Sequence, residues 1–250
     1  MKFETALITG CTRGIGLFLA REFAKNGHDL VLAGPVMKDL EVVAAEVRDA
    51  YGTRSRLIVK DLELPESAME VFETLNEAGV QVDIISTNTS HGFHGKFKES
   101  SSAHDESMVD LNLSAILRLT RIFLEPMISR GKGRILNTAF ITECEPAPSP
   151  AIYRATRAFV VSWSEALSME LQGTGVTVTV LCPDATDSDL FPKAKTTHRI
   201  RRNIMAPQQL AKAAYDRLMK GELIVFPKNH SPDRRNGAPV KGETFVPPRP

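Results

Sequence analysis

Apolar residues in this chain alternate between two patterns, short runs of strand length and longer segments with apolar positions at helical spacing. The strand-length runs are residues 3–8, 29–33, 56–59, 82–86, 133–139, 176–182 and 223–226. The helical segments are residues 17–26, 41–51, 67–78, 103–130, 151–172 and from 206 onward. This alternation predicts a doubly wound α/β fold with a parallel sheet of strand order 3-2-1-4-5-6-7 and ligands at the carboxyl ends of its strands.

A glycine-rich segment, Thr-Gly-Cys-Thr-Arg-Gly-Ile-Gly, lies between the first strand and the first helix at residues 9–16. Glycines allow a tight turn and a close approach of the backbone, and the N–H groups at a helix start attract an anion. We therefore expect a phosphate cradle for a dinucleotide. The candidate cofactor contacts in this segment are Gly10, Thr12, Arg13, Gly14, Ile15 and Gly16.

The order Thr-Gly-x-x-x-Gly-Ile-Gly resembles the fingerprint of the short-chain dehydrogenase/reductases, and the resemblance extends to about residue 227. It implies one Rossmann-type domain over residues 1–227, which binds the cofactor and carries the catalytic residues, with a substrate lid at residues 187–206. Residues 228–250 are rich in proline, glycine and charge, which is typical of a loose tail.

The end of the second strand indicates which cofactor is bound. An acidic residue there accepts hydrogen bonds from a ribose 2′-OH and repels a 2′-phosphate, but this chain has Gly34 and Pro35. Together with Arg13, which can face a 2′-phosphate, the missing carboxylate favours NADP(H). The alternative is that Arg13 is an ordinary solvated charge.

Three further cofactor contacts are implied by the resemblance. Asp61 and Leu62 match the pair that lies against the adenine, although Asp61 could instead cap the helix that begins near Pro65. Asn88 is the one match to the family's Asn-Asn-Ala-Gly, which reads Thr-Asn-Thr-Ser at residues 87–90.

The family's catalytic motif Tyr-x-x-x-Lys falls on Tyr153 and Arg157, so that the tyrosine is kept and arginine replaces the lysine. A guanidinium stays charged and can bind the ribose, but it cannot pass a proton along a relay, so we expect acid catalysis by Tyr153 to be impaired. Tyr153 could also be no more than an aromatic pocket residue. Asn112 matches the family's structural and proton-relay asparagine in Asp-x-Asn, with a buried structural asparagine as the alternative.

Two other departures fall on the same catalytic edge. Phe140 occupies the place of the family's serine, whose hydroxyl hydrogen-bonds to the substrate carbonyl. Phenylalanine can make no such hydrogen bond. The family's Pro-Gly reads Pro183-Asp184, so that a carboxylate lies close to the place of hydride transfer, while Pro183 and Thr186 are expected at the nicotinamide. Alternatively, Asp184 caps the segment that follows it.

The resemblance also suggests walls for the substrate pocket and a surface for oligomerisation. Phe140, with Trp163 or His91, could face a flat aromatic substrate, although Trp163 suits a subunit interface better and His91 could be a solvated loop residue. In the family, the helices predicted at 103–130 and 151–172 bury apolar faces in a homodimer or homotetramer.

Composition and charge narrow the class of partner and the compartment. The chain has 250 residues, of which 42% are hydrophobic, which suits one α/β domain. Its 31 basic and 30 acidic residues give a net charge of +1, which argues against nucleic acid or a membrane and for a small-molecule partner. The three cysteines Cys11, Cys144 and Cys182 fit no metal spacing. With no signal peptide or membrane span in the sequence, we expect a cytoplasmic protein.

These residues lead to one main hypothesis for function. Ketone reduction creates an alkoxide that needs a proton, whereas a protonated imine needs only a nearby anion, which Asp184 could supply. The sequence therefore predicts an NADPH-dependent reductase of an imine or iminium ion in specialised metabolism, with Asp184, Tyr153, Arg157 and Asn112 as catalytic residues. The Pro-Asp-x-Thr motif also resembles the reductase-derived Diels–Alderases of fungal indole alkaloids, which implies coupling to an intramolecular cyclisation.

The alternatives are a carbonyl reductase that uses Tyr153 with Arg157 in place of lysine, and a non-catalytic NADP(H)-binding protein.

Overall fold

A parallel β-sheet with helices on both faces forms the structure, a computed structural model that describes residues 4–88, 97–139, 151–183 and 206–225. The strands are β1 (Thr5–Thr9), β2 (Asp29–Gly34), β3 (Ser55–Val59), β4 (Ile84–Thr87), β5 (Gly133–Thr138), β6 (Val176–Leu181) and β7 (Ile224–Val225). The helices are α1 (Gly14–Lys25), α2 (Met37–Tyr51), α3 (Ser67–Glu77), α4 (Ser102–Val109), α5 (Ala115–Ser129), α6 (Ala151–Glu170) and α7 (Pro207–Lys220), with a π-helix at Asp110–Ser114.

The sheet has the strand order β3-β2-β1-β4-β5-β6-β7, and every neighbouring pair is parallel. The predicted order is therefore confirmed. Its topological switch point lies between β1 and β4, where the carboxyl ends of parallel strands open a crevice for a ligand. Thr9 at the end of β1 pairs with Ala33, and Thr87 at the end of β4 pairs with Asn137. Since Ile8 of β1 pairs with Ser86 of β4, the carboxyl ends of β1 and β4 lie side by side.

Two hydrophobic clusters hold the helices against the two faces of the sheet. On one face, α1, α2 and α7 contribute residues such as Leu19, Leu40 and Leu218 to a cluster with the apolar residues of β1 and β2. On the other face, α3, α5 and α6 contribute buried apolar residues such as Leu75 and Phe123. Among the described helices, none has the length and apolar character to cross a membrane.

The structure differs from the predicted elements at two helices. Helix α2 begins at Met37 instead of residue 41, because residues 37–39 are exposed and give no apolar periodicity at the helix start. The segment predicted as one helix over residues 103–130 is divided by the π-helix Asp110–Ser114. Residues 187–205 and 228–250 lie outside the described part of the chain, so the lid and the tail stay predictions.

Candidate active site

The glycine-rich loop between β1 and α1 depends on three glycines for different reasons. Gly10 and Gly14 have φ angles of 59° and 55°, a region that side chains with a Cβ rarely adopt. A Cβ on Gly16 would lie 2.1 Å from the carbonyl oxygen of Gly10 and 3.2 Å from the Cβ of Asn88. The first turn of α1 can therefore approach the loop this closely only because residue 16 has no side chain.

The start of α1 is open to an anion. Its N-cap residue, Arg13, makes no side-chain hydrogen bond to the helix, and the first turn contains no acidic residue. A Cβ built on Gly14 would meet no described protein atom within 4 Å, so there is free space beside this residue. Helix N-termini carry unsatisfied N–H groups and a partial positive charge. An anion at this helix start would therefore be stabilised, and the binding of a pyrophosphate here stays a prediction.

The remaining residues of this loop, Cys11, Thr12 and Ile15, are buried or half-buried, and contacts of Thr12 and Ile15 with the cofactor stay predictions. Ile15 is buried in the core cluster beneath α1, and Thr12 is half-buried between the strand and the helix. Cys11 is also buried, and burial raises the pKa of its thiol to about 12. The thiol therefore stays protonated at neutral pH and is a poor nucleophile.

The end of β2 offers no carboxylate to a ribose hydroxyl. Gly34 is buried, and the exposed residues Pro35, Val36 and Met37 lead into α2. The first acidic residue beyond the strand is Asp39, inside the first turn of α2. Arg13 is exposed at the start of α1, which leaves its guanidinium accessible to a phosphate. These features fit a cofactor that carries a 2′-phosphate.

Asp61 follows β3 and organises a turn rather than a helix. Its Oδ1 accepts a hydrogen bond from the N–H of Glu63 at 3.0 Å, and the Ser67 hydroxyl donates to its carbonyl oxygen at 2.5 Å. The N-cap of α3 is Glu66, without a side-chain cap, so the alternative that Asp61 caps this helix is wrong. Leu62 is buried in the core. Contact of Asp61 and Leu62 with adenine stays a prediction.

A buried hydrogen-bond network joins the carboxyl ends of β1, β4 and β5 around Asn88. The Asn88 side chain donates to the carbonyl oxygens of Thr9 and Ser86, both at 3.1 Å. Its Oδ1 accepts from the Thr138 hydroxyl at 2.7 Å, and its N–H donates to the Thr9 hydroxyl at 3.2 Å. The sequence motifs indicate Asn88 but not the part of Thr138 in this network. A run of polar residues ending the otherwise apolar β5 was the available signal.

Arg157 joins the same network from α6. Its side chain is almost completely buried, with 2% of the residue exposed, and its Nη1 donates to the carbonyl oxygen of Thr138 at 3.2 Å. Within the described residues, its Nε and Nη2 are buried without a hydrogen-bond partner. Buried donors that lack a partner are costly, and they fit a site completed by a ligand. Donation from Arg157 to ribose hydroxyls stays a prediction.

Tyr153 lies one helical turn before Arg157 and is 1% exposed. The guanidinium of Arg157 lies over its ring, with Cζ 5.0 Å from the ring centre. Burial raises the pKa of the phenol above its usual value of 10, and the nearby positive charge only partly offsets this. Burial also lowers the pKa of Arg157, although a guanidinium stays protonated in proteins. The phenol therefore holds its proton firmly.

Asn112 lies in the π-helix, which explains how an asparagine is accommodated inside a long helical segment. Such single-turn bulges occur frequently at functional sites. Asn112 is fully buried, and its Nδ2 donates to the Thr156 hydroxyl at 3.3 Å. That hydroxyl donates in turn to the carbonyl oxygen of Tyr153 at 2.8 Å. The structure therefore joins Asn112 through Thr156 to the helix that carries Tyr153 and Arg157, while its role in a proton relay stays a prediction.

The proposed substrate-facing residues are described only in part. Phe140, His91, Asp184 and Thr186 lie outside the described residues, so their roles stay predictions. Pro183 is buried directly after β6. Trp163 is half-buried against the core clusters around α5 and α6. It lies ten residues after Tyr153, about 15 Å along the helix axis, and its place in the pocket wall stays a prediction.

Comparison with known proteins gives one matching family model, described as short chain dehydrogenase, over residues 4–199. The chain is 30% identical over 180 residues to the ketoacyl reductase HetN of Nostoc, a match that covers 72% of this chain and 62% of HetN. It is 25% identical over 234 residues to the 7beta-hydroxysteroid dehydrogenase of Collinsella aerofaciens, covering 92% of this chain and 88% of that protein. The chain thus matches less than two thirds of the length of HetN.

Two solved structures extend the comparison to most of the chain. A short-chain dehydrogenase from Sphingobium yanoikuyae in complex with NADPH is 30% identical, with a TM-score of 0.83, and covers 94% of this chain and 91% of its own. The bulky-bulky ketone specific alcohol dehydrogenase of Comamonas testosteroni is also 30% identical, with a TM-score of 0.82 and coverage of 94% and 90%. The fold class is therefore shared with both.

Proposed function

Because the chain belongs to the short-chain dehydrogenase family, we propose that it is an NADP(H)-dependent reductase of specialised metabolism whose substrate is an imine or iminium ion. Family membership makes it an oxidoreductase that depends on NAD(P). The proposal adds the choice of cofactor and the class of substrate. When bound, NADPH supplies the hydride, and the residues of this chain hold the cofactor and set the charge around the substrate.

The preference for NADP(H) is supported by the end of β2 and by the open start of α1. Pro35 and Val36 stand where a carboxylate would repel a 2′-phosphate, and the exposed Arg13 supplies a positive charge at the neighbouring loop. The NADPH complex of the Sphingobium yanoikuyae enzyme, which is 30% identical, is consistent with this choice. Arg157 would donate to the ribose beside the nicotinamide through its buried Nε and Nη2.

The buried pair of Tyr153 and Arg157 is the observation that carries the substrate class. Reduction of a ketone produces an alkoxide, which must receive a proton from an acid that a relay then recharges. Tyr153 has a raised pKa, and Arg157 cannot exchange a proton at neutral pH. An iminium carbon accepts hydride to give a neutral amine, with no proton required. The pair therefore suits a reaction that needs binding and charge but no acid.

Asp184 and Phe140 complete this proposal at positions beyond the described residues. A carboxylate at residue 184, directly after the buried Pro183, would stabilise the positive charge of an iminium ion. Phenylalanine at residue 140 provides an apolar wall where the family carries a hydroxyl. The pocket would accordingly select a flat or cationic substrate over one with a carbonyl oxygen.

The test is NADPH consumption by the purified protein with a panel of cyclic imines and bulky ketones. We expect turnover of imines, and loss of most of that activity in Asp184→Asn, which keeps the size of the side chain but removes the charge. Asp49→Asn is the matched control, because Asp49 is an exposed carboxylate paired with Arg48 on the surface. Equal activity of Asp184→Asn and wild type would refute the role of Asp184.

Carbonyl reduction is the second candidate, favoured by the presence of Tyr153 and Asn112 and by the activities named for the relatives. HetN is named as a ketoacyl reductase, and the Comamonas testosteroni enzyme as specific for bulky ketones. Ketone reduction that disappears in Tyr153→Phe would favour this candidate. Tight NADP(H) binding without turnover of either substrate class would instead indicate a non-catalytic protein.

Coupling of reduction to an intramolecular Diels–Alder cyclisation rests on the Pro-Asp-x-Thr motif alone. The relatives described above carry no such activity in their names. Its test is the stereochemistry of the cyclised product from an indole alkaloid precursor. A single enantiomer formed only with the protein would support cyclisation, and a racemic product would dismiss it.

We further propose that two copies pair through α6. Its outward face presents small and apolar residues at helical spacing, namely Ala155, Phe159, Ser162, Ala166 and Met169. Phe159 and Met169 are 39% and 70% exposed in the single chain. Antiparallel pairing of two α6 helices centred on Ser162 would place Met169 opposite the small Ala155 of the second copy. Met169→Glu should therefore reduce the mass measured by sedimentation. If the variant forms the same oligomer as the wild type, this interface is excluded.

A further inference from the structure

The loop after β3 lies where an extended nucleotide would end. In an open α/β sheet, ligands bind along the carboxyl ends of the strands. A dinucleotide whose pyrophosphate occupied the loop after β1 could extend past the end of β2 towards the end of β3, the next strand in the sheet. Residues 60–66 follow β3 there and begin with Lys60, whose N–H donates to the carbonyl oxygen of Gly34 in β2 at 3.0 Å.

One side chain of this loop reaches a distant helix. Oε2 of Glu63 accepts a hydrogen bond from the Ser107 hydroxyl of α4 at 2.8 Å, across 44 residues of sequence. Both residues are half-buried. A hydroxyl that donates to a carboxylate forms a charge-assisted bond, which is stronger than one between neutral groups. This contact therefore restrains the loop from outside, in addition to the turn that Asp61 forms within it.

Helix α4 is itself connected to the catalytic helix. It continues directly into the π-helix, where the buried Asn112 donates to Thr156 of α6. The loop after β3 is thus joined through α4 to the helix that carries Tyr153 and Arg157. The hydrogen bond between Ser107 and Glu63 therefore holds the loop against α4, which is itself fixed to α6.

We propose that the hydrogen bond between Ser107 and Glu63 positions the loop of residues 60–64 to bind the adenine end of NADP(H). This inference rests on the proposed cofactor and makes Ser107 and Glu63 positioning residues for its affinity. Without the bond, the loop keeps the turn formed by Asp61 but loses its restraint from α4, so more of its ordering accompanies nucleotide binding and reduces the affinity. The effect should be limited to ligands that contain the adenine end.

Ser107→Ala tests the inference against a matched control on the same helix. The hydroxyl of Ser102 also donates to a glutamate, Oε1 of Glu106, at 2.8 Å, but both residues are exposed and belong to α4. We expect Ser107→Ala to weaken binding of NADPH and of adenosine 2′-phosphate about fivefold, as measured by calorimetry. Ser102→Ala should leave both dissociation constants unchanged. Ser107→Thr, which keeps a hydroxyl, should bind like the wild type.

Binding of reduced nicotinamide mononucleotide separates positioning from a general loss of structure. This ligand lacks the adenine end, so its affinity should be the same in wild type and Ser107→Ala. Equal weakening of all three ligands, or no weakening of the adenine ligands, would overturn the inference. A wild type that binds NADPH but reduces no imine would overturn the proposed substrate class, and a fivefold loss in Ser107→Ala would still support the inference. A wild type that binds no adenine nucleotide would overturn both.

Discussion

Arg157 lies over the ring of Tyr153, with its Cζ 5.0 Å from the ring centre, and both side chains are almost completely buried. The positive charge of Arg157 lowers the pKa of the phenol, but burial raises it more, so the pKa lies above 10. Arg157 also donates to the carbonyl oxygen of Thr138. Arg157 therefore anchors α6 to the end of β5, while burial keeps the phenol of Tyr153 protonated at neutral pH.

Tyr153→Phe should preserve imine reduction. A protonated phenol that supplies no proton can be replaced by an apolar ring of similar size, so kcat should remain within about threefold of wild type from about pH 6 to pH 9. Tyr51→Phe, at an exposed tyrosine of α2, is the control for the substitution itself. A fall in imine reduction of about a hundredfold or more would show that Tyr153 acts as an acid.

Gly14→Ala should weaken NADPH binding in addition to lowering the stability of the fold. Gly14 and Gly52 both have positive φ angles, of 55° and 68°, and a Cβ on either would meet nothing within 4 Å. Alanine at each position should therefore lower the free energy of unfolding by about 1–2 kcal/mol through backbone strain. Gly52 ends α2, away from the loop, whereas a methyl group on Gly14 would enter the space proposed for the phosphates.

Urea unfolding and NADPH titration of both variants separate these two effects. We expect similar losses of stability, with the dissociation constant for NADPH raised at least about tenfold in Gly14→Ala alone. Equal NADPH affinity of the two variants would show that the space above Gly14 is not the phosphate site.

The sheet could be predicted because its signals are local. The apolar runs of β1 to β6 and the glycine-rich loop are readable within windows of a few residues, and parallel connection then limits the strand order. The start of α2 was placed too late because residues 37–39 are exposed and carry no apolar period. The π-helix was not predicted, since one extra residue in a turn hardly changes the periodicity of the long segment around it.

The site was predictable as a set of positions but not as a network. Asn88, Tyr153 and Arg157 were identified from motifs, and the structure brings Asn88 and Arg157 to the two polar groups of Thr138. Thr138 and Ser107 were missed because their partners lie between 19 and 50 residues away in sequence. Only the folded chain brings such partners together, so the sequence can mark Thr138 as a polar end of an apolar strand but cannot show its partners.

Thr138→Val should loosen the glycine-rich loop through Asn88. The substitution removes the hydroxyl that donates to Oδ1 of Asn88 at 2.7 Å and leaves that buried oxygen without its partner, at a cost of about 1–3 kcal/mol. Because Asn88 contacts Thr9 at the start of the loop, NADPH affinity should fall as well. Thr179→Val is the control, since the Thr179 hydroxyl donates to the carbonyl oxygen of Glu222 on a different part of the sheet.

Both threonine variants can be compared by urea unfolding and NADPH titration. The two should lose stability, and only Thr138→Val should lose affinity. If Thr179→Val weakened NADPH binding to the same extent, the effect would come from general destabilisation rather than from the Asn88 network.

The stability of the protein should fall as the pH is lowered below about 6.5, because His28, which directly precedes β2, is buried and burial disfavours its protonated form. Nδ1 of His28 lies 3.2 Å from the carbonyl oxygen of Glu4, which can only accept, so we assign the proton to Nδ1. Nε2 then accepts from the Tyr215 hydroxyl at 2.9 Å. Burial lowers the pKa of His28 from 6.5, so the folded state binds fewer protons than the unfolded state in this range.

The sign of the effect distinguishes His28 from its neighbour Glu4. A lowered histidine pKa stabilises the folded state above about pH 6.5, and that stabilisation is lost as the pH falls towards the folded-state pKa. Burial alone would raise the pKa of Glu4, but hydrogen bonds from Lys132 and Arg134 lower it below 4.5, so its contribution is lost only in more acidic solution. Urea unfolding of wild type and His28→Gln at about pH 7.5 and about pH 5.5 therefore isolates His28. The variant should be less stable at the higher pH and should lose less stability on acidification, and an equal loss in both proteins would contradict this assignment.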